Sequence, residues 1–368
     1  MRILTVNAGS SSIKLRLLDD DTLVADTDIA ADADGYDTDH LATAIRDWPS
    51  PDAIGHRIVH GGTTFTGPVL VDPSVRQQLA TLTDLAPLHQ PKSLNALDAV
   101  SSHLPDVPAV ACFDTAFHTT IPAAASTYAV PAEWRERYGI RRYGFHGLSH
   151  AYAVRRVAEL VGRPLAGLRI VTCHLGAGAS LAAVLDGRSV DTTMGFSPLE
   201  GLVMATRSGT IDPGIVPWLT EHAGISAHDI GVALETQSGM LALAGTPDMR
   251  QIEAAAAGGN KRANQALDIY IHHLAGGIAT MTAATNGIDI LVFTGGVGEH
   301  SHLVRTRTAD RLRFLGIELD PERNMHATNE TMISTDDASV LAYMIAARED
   351  LQIAREVRSL LSVHNARE

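Results

Sequence analysis

The sequence predicts an α/β protein made of two related halves, and three observations carry that expectation. Apolar, strand-like runs alternate with longer segments whose apolar residues recur at helical spacing. The chain opens on a strand, a polar Gly-centred turn and a second strand, "RILTVNAGSSSIKLRLL", and the same plan returns at 168–187 as "LRIVTCHLGAGASLAAVLDG". The two turns align, Asn7-Ala8-Gly9-Ser10-Ser11 against His174-Leu175-Gly176-Ala177-Gly178 with Ser180 close behind. That recurrence reads as two related domains rather than a solenoid, although two unrelated hairpins would look alike at this level.

Taken in order, strands are expected at 3–8, 12–18, 54–60 and 68–72, and helices at 73–86 and 91–104. A strand at 108–113 runs into "FDTAFH", and a strong helix covers 148–161, "LSHAYAVRRVAELV". After the second hairpin, helices are expected at 213–223, 226–235, 248–256 and 260–285, with "EAAAAGGNKR" as a surface loop. Strand 288–294 leads into "GGVGEH" and a helix over 301–315, and 337–347 and the tail 349–362 read as helical or mixed. The domains drawn on this basis are 1–148 plus 348–368, and 149–347.

The 368 residues are 45% hydrophobic and 19% charged, ordinary values for a globular protein with room for two cores. A net charge of -13 without a basic block argues against nucleic-acid binding. The amino-terminal segment reads as a strand, not a signal peptide, and no apolar run reaches membrane-span length. Cys112 and Cys173 each lie in an apolar run and read as buried free thiols of a reducing, cytoplasmic compartment.

Three Gly-rich turns, "NAGSSS", "HLGAGAS" and "TGGVGEHS", each follow an apolar strand. Glycine lets a ligand approach the backbone, and successive amides in such a turn form an anion-binding concavity. Serine hydroxyls and Lys14 add donors and charge. An ordinary tight hairpin remains the plainer reading of any one turn. The sequence lacks the P-loop pattern, and "GAGASL" and "GVGEHS" both lack the last glycine of a dinucleotide fingerprint. "HGLSH" lacks the glutamate of a zinc-protease helix. Arg57 in "GHRIVHGG" and Arg207 in "MATRSGTIDP" suit either structural ion pairs or clamps on a carboxylate and a phosphate. Asp114 closes a buried strand, where α/β proteins bind ligands, though a helix N-cap would also stand there.

The motifs "NAGSSSIK", "GHRIVHGG", "LAPLHQP", "FDTAFHTTIP", "RRYGFHGLSH", "HLGAGAS", "DTTMGFSPLEGL", "DPGIV", "PDMR" and "FTGGVGE" follow one another over nearly the whole chain. In content and order they resemble the acetate kinases of the acetokinase family. The resemblance implies the duplicated, ribonuclease H-like fold shared by actin, hexokinase and the heat-shock ATPases, with the active site in the cleft between domains. It also implies a homodimer and Mg²⁺-dependent transfer between ATP and acetate, giving acetyl phosphate and ADP, with Mn²⁺ able to substitute. Carried over by motif, Asn7 and Glu349 would lie at the metal site, and Ser10, Ser12 and Lys14 would face phosphate. Arg57 would bind the carboxylate substrate, with Val59, Leu88, Phe145 and Pro198 walling its methyl end. Asp114, His146 and Arg207 would be catalytic. His174, Leu175, Gly176, Ala177, Gly178, Asp248, Met249, Arg250, Gly296, Val297, Gly298, Glu299 and His300 would bind the nucleotide.

The sequence also departs from the family pattern. Ala177 and His300 each replace an Asn, Thr210 replaces an Asp, and Arg348 is new beside Glu349. Most of these changes fall in the expected nucleotide half and bear on the donor. A related propionate kinase and a pyrophosphate-using enzyme are the near alternatives. A hydroxyl kinase, with Asp114 as base, and a catalytically weak nucleotide-binding regulator are the distant ones. An acetate-like acid has a pKa near 4–5 and is ionised at neutral pH. Asp114 is therefore expected to orient an arginine or a metal-bound water rather than act as a base.

Overall fold

The computed structural model describes residues 1–9, 12–30, 38–87 and 89–365. They divide into two units: Met1–Thr119, Phe145–Tyr152 and Arg348–Glu368 in the first, Thr120–Gly144 and Ala153–Ala347 in the second.

The first unit holds strands β1 (Arg2–Ala8), β2 (Ser12–Asp19), β3 (Thr22–Ala30), β4 (Ala53–Ile58), β5 (Val69–Leu70) and β6 (Ala109–Phe113) in one sheet, ordered β3-β2-β1-β4-β6-β5. Pairs β1/β4 and β4/β6 are parallel, and the outer pairs antiparallel. Residues of β1 alternate between two cores because a strand turns successive side chains to opposite faces. Leu4 and Val6 join Ile13, Leu15, Leu41 and Val100 on one face. Ile3 joins Val110, Cys112, Ile353, Ala354 and Val357 on the other. The tail helix Glu349–Asn365 thus covers that second face, and its first residue is a candidate site residue.

The second unit repeats the plan with β7 (Arg169–Leu175), β8 (Ala179–Leu185), β9 (Arg188–Thr192), β10 (Ile290–Thr294), β11 (Thr331–Met332) and β12 (Leu341–Met344). Their order is β11-β12-β10-β7-β8-β9, again with two inner parallel pairs and antiparallel outer ones. Both sheets even shift register between their second and third strands, at Leu17/Leu18 and at Ala183/Val184. The long helix Lys261–Ala284 buries Leu267, Tyr270, Ile271, Leu274 and Ile278, the spacing of one helical face.

Several expected elements differ. Strands β3 and β9 and the helix Thr38–Asp47 were not expected; β3 carries alternating polar residues on an exposed edge, which hides it from an apolar search. The 54–60 strand ends at Ile58, and the 73–86 helix ends at Thr81 before a short 3-10 turn. The 301–315 helix ends at Arg311 and likewise passes into a 3-10 turn. Residues 337–347, read as helical or mixed, contain strand β12, whose apolar, mostly buried run parallels β10. Within "EAAAAGGNKR", residues up to Ala257 are helical, and the turn proper is Gly258–Asn260. Residues 120–144 cluster with the second unit, not the first. Arg142 binds Glu200 at 2.8 Å, and the Thr120 hydroxyl donates to Ser189 O. Both cysteines are buried and unpaired with each other, and burial raises both thiol pKa values.

Candidate active site

In the first unit, the carboxyl ends of the three central strands bring Asn7, Arg57 and Asp114 together. The Arg57 guanidinium forks onto Asp114: Nε donates to both carboxylate oxygens at 3.1 and 3.0 Å, and Nη2 to Oδ2 at 2.5 Å. Its Nη1 donates to Asn7 Oδ1 at 3.2 Å and Ala8 O at 3.4 Å. The Asn7 amide in turn donates to Glu349, the first residue of the tail helix. Asp114 is 1% exposed. Burial raises its pKa, Arg57 opposes that rise, and the nearby Glu349 charge adds to it.

His146 is placed by the same strand end. Gly147 N donates to Asp114 O at 2.8 Å, and a Cβ on Gly147 would stand 2.2 Å from that oxygen. Only glycine lets the helix Gly147–Val161 start this close to β6, and His146 precedes it with φ of 57°. A left-handed histidine at a helix start is a strained arrangement of the kind found at functional sites. Phe145 and Val59 are buried in this unit, and Phe145 meets the His60 ring edge-on at 5.4 Å. His118, not singled out in the sequence, fixes Phe145 by bonding its carbonyl at 3.0 Å; burial pushes the imidazole down to about 4. Lys14 faces Asn7 across the β1/β2 ladder and is exposed, while Ser12 O accepts from Gly9 N at 2.8 Å. Ser10 and Leu88 lie outside the described residues.

In the second unit, Arg207 is half-buried and donates to Pro198 O at 3.0 Å. Its loop is closed by Thr210, whose amide donates to Gly201 O at 2.9 Å and whose hydroxyl accepts from Gly201 N at 3.1 Å. The threonine that departs from the family pattern therefore has a structural task. The 193–200 segment that carries Pro198 is held by groups the sequence reading missed. Arg142 and Tyr128 both bind Glu200, Arg142 also reaches the carbonyls of Thr193 and Met194, and the Tyr128 oxygen accepts from Phe196 N.

A cavity of about 430 Å³ in the second unit is lined by Gly176, Ala177, Asp248, Met249, Arg250, Gly296, Val297 and His300, all expected nucleotide residues. Ala205, Pro247 and Ser301, which stand inside quoted motifs without having been singled out, also line it, as do Met240, Glu253 and Tyr270, which stand in none. His174, Leu175, Gly178, Gly298 and Glu299 do not line it. Leu175 supports it instead: a Cβ on Gly295 would meet Leu175 O at 2.9 Å, and Gly295 has φ of 77°. Glu299 accepts from Ala347 N at 2.9 Å. "GGVGEH" is itself the short helix Gly295–His300, not a loop before one. Asp248 caps the helix Met249–Ala257 through Arg250 N at 2.9 Å and pairs with the Arg250 guanidinium, which lowers the carboxyl pKa.

Two sheets of one strand order define the duplicated α/β class of actin and hexokinase. Comparison with known proteins narrows this. The model of the acetokinase family matches residues 39–355. An acetate kinase of Natranaerobius thermophilus is 40% identical over 396 residues, covering 98% of this chain and all of that one. The acetate kinase structure from Porphyromonas gingivalis superposes with a TM-score of 0.89 at 34% identity, covering 98% of this chain and 99% of that one. A propionate kinase structure from Francisella tularensis gives 0.88 at 34% identity, covering 96% and 98%. The chain belongs to the acetokinase family.

Proposed function

We propose that the chain is an acetate kinase, transferring the γ-phosphoryl group reversibly between ATP and acetate. The observation that carries this reading is the Arg57–Asp114–Asn7–Glu349 cluster at the strand ends of a family member. It supplies a guanidinium for a carboxylate and, in Glu349, a carboxylate for a cation. The acid arrives ionised, so its oxygen attacks phosphorus with no proton to remove. The bond from γ-phosphorus to the bridging oxygen breaks, and ADP leaves with the charge. Asp114 is occupied by Arg57 and serves as its orienter, not as a base. Arg57 then meets the acid in the ground state, while His146 and Arg207 meet charge that grows on the transferring group.

The family implies magnesium. The Asn7 side-chain oxygen and the Glu349 carboxylate offer oxygen donors, the set a hard divalent cation takes together with water and phosphate oxygens. They fit the ion, and Mn²⁺ by the same chemistry. When bound, it would offset the triphosphate charge. Glu349 would hold it, with Asn7 fixing that carboxylate through its amide. Ser12, Lys14 and the turn they border would face phosphate. Gly176, Ala177, Asp248, Met249, Arg250 and the 296–300 turn would take the nucleoside. Their cavity is a reason to prefer ATP over pyrophosphate, which has no base to place there. The family resemblance also supports a cytoplasmic homodimer, with light scattering as the check on mass.

The test is a grid of ATP, GTP and pyrophosphate against acetate, propionate and butyrate with Mg²⁺, trapping acyl phosphate with hydroxylamine. ATP with acetate should give the highest rate, propionate less and butyrate little. Each methylene is worth only about 1–3 kcal/mol, so propionate should still turn over. Butyrate exceeding acetate, or pyrophosphate exceeding both nucleotides, would overturn the reading.

A further inference from the structure

Arg305 lies on the helix His302–Arg311 and is 1% exposed, among the most deeply buried large side chains of the described residues. Burying a guanidinium is costly, because the charge loses its water; Glu253 offsets that charge without an ion pair. The hydrogen bonds of Arg305 go to one amide oxygen and three backbone carbonyls. Nη1 donates to Gly298 O at 2.8 Å and Glu299 O at 2.7 Å. Nε donates to Asn324 Oδ1 and Nη2 to Asn324 O, both at 2.6 Å. Asn324 is also buried and donates to His302 O at 3.0 Å and the Thr306 hydroxyl at 2.8 Å.

Gly298 and Glu299 belong to the short helix Gly295–His300, whose Gly296, Val297 and His300 line the cavity. The last carbonyls of any helix lack partners within it, and a helix of six residues cannot hold its own shape. We infer that Arg305 is the positioning residue of this turn: it binds the carbonyls behind Gly298 and Glu299 and so fixes the wall presented to the nucleotide. Asn324 anchors the guanidinium from the opposite side. The inference rests on the reading of the cavity as a nucleotide site. Lysine cannot replace the arginine, because an ammonium has no planar fork to span two successive carbonyls and an amide at once.

The test compares Arg305→Lys and Arg305→Met with the wild type in three measurements: amide hydrogen exchange at residues 296–301, KM for ATP and KM for acetate. Exchange at the turn and KM for ATP should each rise about tenfold in Arg305→Met and less in Arg305→Lys, the loss expected of charged hydrogen bonds. KM for acetate should stay within about twofold, since the hydrogen bonds of Arg305 go to Gly298, Glu299 and Asn324 of its own unit. Should Arg305→Met fail to fold, Asn324→Ala removes the anchor alone and should show the same pattern. Unchanged exchange at the turn in every folded variant would overturn the inference, as would equal losses toward ATP and acetate. A wild-type chain that made no acetyl hydroxamate from ATP and acetate would sink the functional reading, while the exchange comparison would still decide this one.

Discussion

The two sheets share strand order, pairing and even a register shift, yet their strand ends bear different chemistry. In the first unit, β1, β4 and β6 end in Asn7, Arg57 and Asp114, candidate site side chains joined to one another. In the second, β7 and β10 run into Gly176 and Gly295, and β12 into the buried Ile345. One copy of the scaffold presents linked polar side chains at these ends, the other glycines and a cavity. A duplicated sheet thus supplies the same address twice, the carboxyl ends of parallel strands, and leaves the residues there free to diverge.

That contrast is broken hardest where one side chain does the work. Arg207→Ala and His146→Ala should each lower kcat about 10²–10³-fold with little change in acid binding, as expected for groups that meet developing charge. Arg57→Ala should instead act mainly on KM for acetate. Steady-state constants that stay normal in all three would end the assignment. Asp114→Ala should cost about 3–5 kcal/mol in urea unfolding, because it strands a largely buried guanidinium. A loss under about 1 kcal/mol would mean that the pair is solvated.

The two glycines differ in kind. Gly147→Ala drives a methyl into Asp114 O and should both destabilise the fold and misplace His146, so kcat falls with stability. Gly295→Ala strains a left-handed position and should chiefly raise KM for ATP. If Gly147→Ala acted only on the nucleotide, the division of labour between the units would be wrong.

The pH dependence sharpens the first unit further. Burial pushes His56 down to about 3, with neither ring nitrogen hydrogen-bonded, and His118 to about 4. Unfolded, both titrate near 6.5, so the unfolded chain binds more protons below that pH. Stability is present above 6.5 and is lost as pH falls toward 4 and then 3, by about 2 kcal/mol per histidine at pH 5. Glu356 runs the other way. Burial pushes it up to about 7, so its contribution is full below 4.5 and is lost as pH rises through 7. Urea melts of His118→Gln at pH 7 and 5 should show a shallower acid loss than the wild type; identical slopes would exclude a neutral buried His118. The smallest effect is expected in the second unit. Ala177 O already accepts from Ala205 N at 3.1 Å, so Ala177→Asn should leave the turn intact and tighten ATP severalfold, one hydrogen bond's worth. Weaker ATP binding in that variant would show that the turn has no room for the amide.

The sequence by itself determined the duplication, the strand-turn-strand openings and the positions of most candidate site residues, because each is encoded within a few neighbouring positions. Asn7, Arg57, Asp114 and Gly176 stand at strand ends that apolar patterning marks. Edge strand β3 escaped because exposed polar residues leave no such mark. Only the tertiary structure decided which of these residues meet. Glu349 reaches Asn7 because the tail helix packs on β1, β4 and β6, a contact spanning almost the whole chain. Residues 120–144 join the second unit through Glu200, and Arg305 and Asn324 clamp the 298–299 turn from outside every motif. Local periodicity reports which face of a segment is buried, whereas hydrogen bonds between distant segments depend on where the packed elements bring them, which no short window contains.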